Sequence, residues 1–188
     1  DFDKAVKLYS QGKYDSTIAV GRIYLRKYGR NPESEKMVPL IIEALVRKEK
    51  YASAYRLFSM FRQKFPQSPF LPRLYYVTGI ALAKGEKYQQ AITSFSSALE
   101  SGVSRTIDSL ILSNTEKICK QLTANDFEIL STMPLNMKLL EVVKFHEIAN
   151  FSLMGQFTKA QNYAEEFRNM YPRSVYDSKI RELISLAQ

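Results

Sequence analysis

The chain has one cysteine, Cys119, one histidine, His146, and no tryptophan in 188 residues. A lone thiol excludes an internal disulfide, and no Cys/His spacing suits a metal site. Glycine and proline are scarce at seven each, which leaves too few breaks for a fold of many short strands. No uncharged apolar run is long enough to span a bilayer. Gly-rich phosphate loops, HExxH and EF-hand spacing are also missing. What remains is ordinary for a folded protein: 45% hydrophobic and 24% charged residues, which argues against disorder and against a coiled-coil rod. The length suits one well-buried domain or two small ones, with no staple required.

Charge is unevenly placed. Lysine and arginine total 27 against 19 acidic residues, for a net +8. Up to Glu100 there are 17 basic and 9 acidic residues, and beyond it 10 of each, so the whole excess lies in the first half. That half suits an anionic partner: an acidic protein surface, an anionic membrane surface or nucleic acid. The opening Asp1-Phe2-Asp3-Lys4 has no Met, apolar leader or lipobox cysteine, as after a processed signal or inside a longer chain. The single Cys fits a reducing cytosol and a periplasm equally.

Self-similarity organises the rest. Tyr14, Tyr51 and Tyr88 follow one another at intervals of 37, and Phe157 restarts the pattern 69 residues later. Three residues on come Thr17, Ala54, Ala91 and Ala160; seven on, Gly21, Phe58, Phe95 and Ala164; ten on, Tyr24, Phe61, Ala98 and Phe167. These offsets trace one face of a helix, with a small residue where a neighbouring helix must approach. Gly12 and Gly155 two residues before the aromatic, and Gly85 three before, mark the left-handed turn of a helical hairpin, while the second copy has Glu49. Pro66 and Pro172, behind Phe65 and Tyr171, end the second helix, as does the first copy's Tyr28-Gly29-Arg30-Asn31-Pro32. Amphipathic stretches such as Met37 to Arg47 and Leu74 to Lys84 supply the first helix of each hairpin.

These residues resemble tetratricopeptide repeats, the copy Gly79, Gly85, Tyr88, Ala91, Phe95, Ala98 best of all. The exits Phe65-Pro66-Gln67-Ser68-Pro69 and Tyr171-Pro172-Arg173-Ser174 are similar to those of bacterial envelope repeat proteins, the outer-membrane assembly lipoproteins and the tol-pal system repeat protein. Leu122 to Leu186 resembles the helical N-terminal domain of penicillin-binding-protein activators and of branched-chain-type substrate-binding proteins, where such an array precedes a ligand-binding domain. Between Val103 and Pro134 the repeat lapses: Ser104 to Leu122 reads as one helix and Asn125 to Thr132 as a short one capped by Asn125 or Asp126. Tyr176 to Ala187, with Ile180, Leu183, Ile184 and Leu186, should cap the stack. The expected fold is all-α, a right-handed solenoid of about five antiparallel helical hairpins. A basic array of about three repeats spans 1–102, and 103–188 holds the irregular hairpin, one repeat-like hairpin and the cap, in one continuous domain.

The resemblance implies that first helices line a concave groove for a peptide or partner helix. In the 37-residue register that groove carries Lys36, Glu43 and Arg47, then Arg73, Tyr76, Ile80 and Lys84, and in the last hairpin Phe145 and His146. The repeats that capture a C-terminal carboxylate use a Lys with Asn partners; here Pro39, Glu43, Tyr76 and Ile80 stand instead, so that mode is not expected. Arg22, Arg26, Lys27 and Arg30 form a second basic cluster, and Arg47, Lys48 and Lys50 a third. Cys119 and His146 are the only residues for nucleophile-and-base chemistry, and both read more simply as helix-packing residues. Glu33/Glu35 and Glu165/Glu166 read as solvated surface. The reading is a non-catalytic protein-interaction scaffold of the bacterial envelope, periplasmic or outer-membrane associated, with the cytoplasm as alternative and no cofactor. Its partner would be a protein segment, acidic in character. The alternative function is binding of nucleic acid or another anionic polymer by the basic half.

Overall fold

The computed structural model describes residues 1–29 and 34–185. Arg30, Asn31, Pro32, Glu33 and Leu186, all used in the sequence reading, lie outside the described residues. Among those described, the secondary structure is eleven α-helices and no strand. The chain divides into two compact units, Asp1–Ser104 and Arg105–Gln188.

Unit 1 contains α1 (Phe2–Ser10), α2 (Tyr14–Tyr28), α3 (Ser34–Arg47), α4 (Tyr51–Lys64), α5 (Leu71–Lys84) and α6 (Tyr88–Glu100). Each helix packs on the next, and α3 also touches α1 and α5. Unit 2 contains α7 (Arg105–Cys119), α8 (Ala124–Thr132), α9 (Met137–Leu153), α10 (Phe157–Met170) and α11 (Asp177–Ser185). The architecture is therefore all-α and built of consecutively packed helices, as a helical-repeat array requires.

One turn geometry recurs four times. The backbone N–H groups of Lys13, Lys50, Lys87 and Gln156 each donate at 2.9 Å to a carbonyl five residues back, on Leu8, Leu45, Leu82 and Phe151 respectively. This closure needs a left-handed residue just before the donor. Gly12, Glu49, Glu86 and Gly155 fill it, with φ of 72°, 57°, 57° and 71°. In the third hairpin the left-handed residue is thus Glu86, not the Gly85 that sequence spacing suggests. The exits repeat as well: Phe65 and Tyr171, each held extended by the proline that follows, have φ/ψ of −128°/67° and −129°/65°. Behind them Ser68 and Ser174 accept a hydrogen bond from the N–H two residues on.

The predicted stripe is the core seam. Ala54, Ala91, Ala160, Phe58, Phe95, Phe61 and Phe167 are buried, each large side chain contributing roughly 1.5–3 kcal/mol by leaving water. The leading Tyr14, Tyr51 and Tyr88 are only half-buried and Phe157 is exposed. A Cβ on Gly79 would lie 2.4 Å from the Phe95 ring, so α5 and α6 approach where only hydrogen fits.

The irregular stretch resolves differently from a regular hairpin, with α7 and α8 each packing on α9, as do α10 and α11. Surrounded in this way, α9 buries Leu139, Val143, Phe145, Glu147, Ile148 and Phe151, on more than one face. The cap of α8 is Thr123: its hydroxyl accepts from the Asp126 N–H while the Asp126 carboxylate accepts from the Thr123 N–H, a reciprocal box. Asp126, at the third position of the helix's first turn, is the partner, and Asn125 takes no part in the box.

Candidate functional site

Because α3 packs on both α1 and α5, side chains from these three helices meet on one face of unit 1. Glu43 is the meeting point. Arg73 donates from Nε to Oε1 at 2.6 Å and from Nη2 to Oε2 at 3.0 Å, and Tyr9 donates its hydroxyl to Oε2 at 3.0 Å. The carboxylate side chain is only 14% exposed, whereas the arginine is 62% exposed. Burial first, then the neighbouring Glu43 charge, push the Tyr9 hydroxyl above its ordinary range, with Arg47 acting the other way.

Beside this tie is a hollow of about 200 Å³. Phe2, Pro39, Leu40, Phe70 and Leu74 give it apolar walls, and Lys36, Glu43 and Arg73 stand around them. Lys36 is exposed, and no carboxylate among the described residues lies within ion-pair reach of it. Of the residues the sequence offered for a groove, Lys36, Glu43 and Arg73 line this hollow, and Glu43 and Arg73 grip each other. Arg47 lies one turn along α3 near Tyr9. Tyr76 sits one turn beyond Arg73 with its ring 6.1 Å from Phe95, Ile80 is half-buried, and Lys84 is exposed at the end of α5. The missed members were Tyr9, Phe2 and Phe70, which belong to α1 and the approach to α5, where no 37-residue alignment pointed.

Phe145 and His146 belong to unit 2. Phe145 stacks on Tyr176 at 4.3 Å between ring centres and 15° between planes. Tyr176 donates to Glu116 at 2.7 Å, and Lys179 lies over both rings. His146 meets the edge of Phe145 at 5.0 Å, and its Nε2 is enclosed without a hydrogen-bond partner. Burial pulls its pKa below the ordinary histidine value, Glu116 opposing and Lys120 and Lys179 assisting. Phe145 is thus packing rather than groove lining.

Two buried groups complete unit 2. Cys119 is 3% exposed, and burial, with Glu116 nearby, pushes its thiol up to about 12. Glu147 is also 3% exposed and accepts one hydrogen bond, from Ser131 at 2.9 Å; burial raises its pKa despite that bond. Nothing in the sequence marks Glu147, since its burial follows from the crowding of α9.

The basic clusters divide by pairing. Lys48 and Lys50 reach Asp15 at 2.8 and 3.5 Å, and Lys27 lies over the Tyr28 ring. Arg22 and Arg26 are exposed on α2; Arg30 is outside the described residues. Among the described residues no three His, Cys, Asp or Glu side chains gather as a metal cluster, and no helix is long and apolar enough to cross a membrane. No protein-family model matches the chain, and no curated protein matches it either.

Proposed function

We propose that the chain is a non-catalytic protein-interaction scaffold of the tetratricopeptide kind, working in a bacterial cell envelope and holding a partner segment on unit 1. The hollow on α1, α3 and α5 supports this reading. Its apolar walls suit one bulky side chain, and Lys36 at the rim suits a carboxylate next to it. Glu43 is already satisfied by Arg73 and Tyr9, so a ligand need not neutralise it. Specificity for an acidic, partly apolar segment follows from that combination. The envelope setting rests on the hairpin exits alone.

The test is capture from nuclease-treated envelope and cytosolic extracts, comparing the native chain with Lys36→Glu, Leu40→Asp, after circular dichroism shows both folded. Retention of a discrete envelope protein by the native chain and its loss from the variant supports the scaffold. Capture that is indifferent to both substitutions removes the hollow from consideration.

A further inference from the structure

A second face of unit 1 is built from α2 and α4. These helices carry Arg22, Arg26, Lys27, Arg56, Arg62 and Lys64 against a single carboxylate, Asp15, which Lys48 and Lys50 already engage. Lys27, Arg62 and Lys64 rest on their own rings, Tyr28, Phe58 and Phe65. Arg22, Arg26 and Arg56 are exposed, and among the described residues no carboxylate lies within ion-pair distance of any of them. Arg22 and Arg56 both line a fissure of about 220 Å³, together with Ser53 and mostly aliphatic side chains that include Leu25, Leu57 and Met60.

Apolar side chains project from the same face. Ile23 is 57% exposed and Met60 61% exposed. They are 37 residues apart, so they occupy the same position of successive hairpins. The other two copies place Ser97 and Glu166 there. Packing therefore does not demand an apolar residue at this position, and the first two hairpins share a feature that the others lack. Cations interspersed with protruding aliphatic side chains, and no unpaired carboxylate, match a surface of anionic headgroups over hydrocarbon. Nucleic acid would call for exposed stacking rings, and Tyr55, 39% exposed, is the only aromatic on these two helices exposed to that degree.

We propose that the α2–α4 face docks on an anionic membrane surface. Arg22, Arg26 and Arg56 lie at headgroup level, and Ile23 and Met60 enter the boundary with the acyl chains.

The chain has no tryptophan, so Met60→Trp installs a single reporter. The 188-residue chain is sedimented with vesicles of phosphatidylcholine, with and without phosphatidylglycerol. Binding is expected only to the anionic vesicles, falling with salt, and dropping on the order of 100-fold in Arg22→Ala, Arg26→Ala, Arg56→Ala. Met60→Trp should shift its emission to the blue on those vesicles, whereas Ser97→Trp, at the same register on α6, should not. Absent binding, equal binding to pure phosphatidylcholine, or equal shifts at both positions each overturn the proposal. Binding of a soluble acidic protein or of RNA without vesicle binding assigns the face to that partner instead.

Discussion

Arg73 holds Glu43 by two nitrogens, at 2.6 and 3.0 Å, across the seam between α5 and α3. A pair expected to offer two independent charges to a ligand is closed on itself, and Tyr9 extends it to α1. The contact ties together residues of α1, α3 and α5. Removing Arg73 leaves a largely covered carboxylate with one donor, and Arg73→Ala should cost about 1–2 kcal/mol. Urea unfolding of both single substitutions and the double Glu43→Gln, Arg73→Ala should show a coupling of that order. A coupling near zero would mean that the contact contributes nothing.

The Gly79–Phe95 approach predicts a sharper effect. Gly79→Ala raises helix propensity but drives a methyl group into the Phe95 ring, so overpacking should dominate and cost about 1–3 kcal/mol. Pairing it with Phe95→Leu should return part of that loss. If Gly79→Ala stabilises the chain in thermal unfolding, the α5–α6 contact is looser than the structure has it.

The left-handed Glu86 gives the opposite sign. Its φ of 57° lies in the left-handed region that Gly12 and Gly155 occupy in the equivalent turns. Glu86→Gly should therefore stabilise by about 0.5–1 kcal/mol, the relief of a side chain in this region less the added freedom of the unfolded chain. Glu49→Gly should behave alike, and chemical denaturation of both measures it.

Glu147 predicts a pH dependence. Its folded-state pKa is raised, chiefly by burial, so the folded protein holds this proton more tightly than the unfolded chain. Below the ordinary carboxylate range both states are protonated and the residue costs nothing. As pH rises from that range through the folded value, the unfolded chain releases its proton first and stability is lost. Glu147→Gln, still able to accept from Ser131, should match the native protein in acid and exceed it in Tm near neutrality. A difference in Tm that stays flat with pH would refute the assignment.

Cys119 should be inert. At 3% exposure and with its thiol pushed up to about 12, almost no thiolate exists at neutral pH. A colorimetric disulfide reagent should release no chromophore from the native protein and one equivalent after denaturation. Prompt reaction of the folded chain would reopen nucleophilic chemistry at this residue.

The sequence alone determined the helices and their seams. A 3.6-residue stripe recurring at 37 residues forces Phe58 and Phe95, and their small neighbours Ala54 and Ala91, into hairpin cores, and Phe65-Pro66 and Tyr171-Pro172 stop helices by local sterics. Lys36, Glu43 and Arg73 could be placed on one face because register fixes which way a helical residue points. What only the tertiary structure decided depends on contacts between residues far apart in the chain. Register aligns Lys36 with Arg73 and Glu43 with Ile80; that Glu43 and Arg73 are consumed in one bidentate contact, with Tyr9 behind it, is set by how α3 packs on α5. The fourfold turn fell on Glu86 rather than Gly85 because a five-residue hydrogen bond sets the left-handed position, whatever residue occupies it. Glu147 is buried because four helices crowd α9, and no periodicity within a single helix encodes its neighbours.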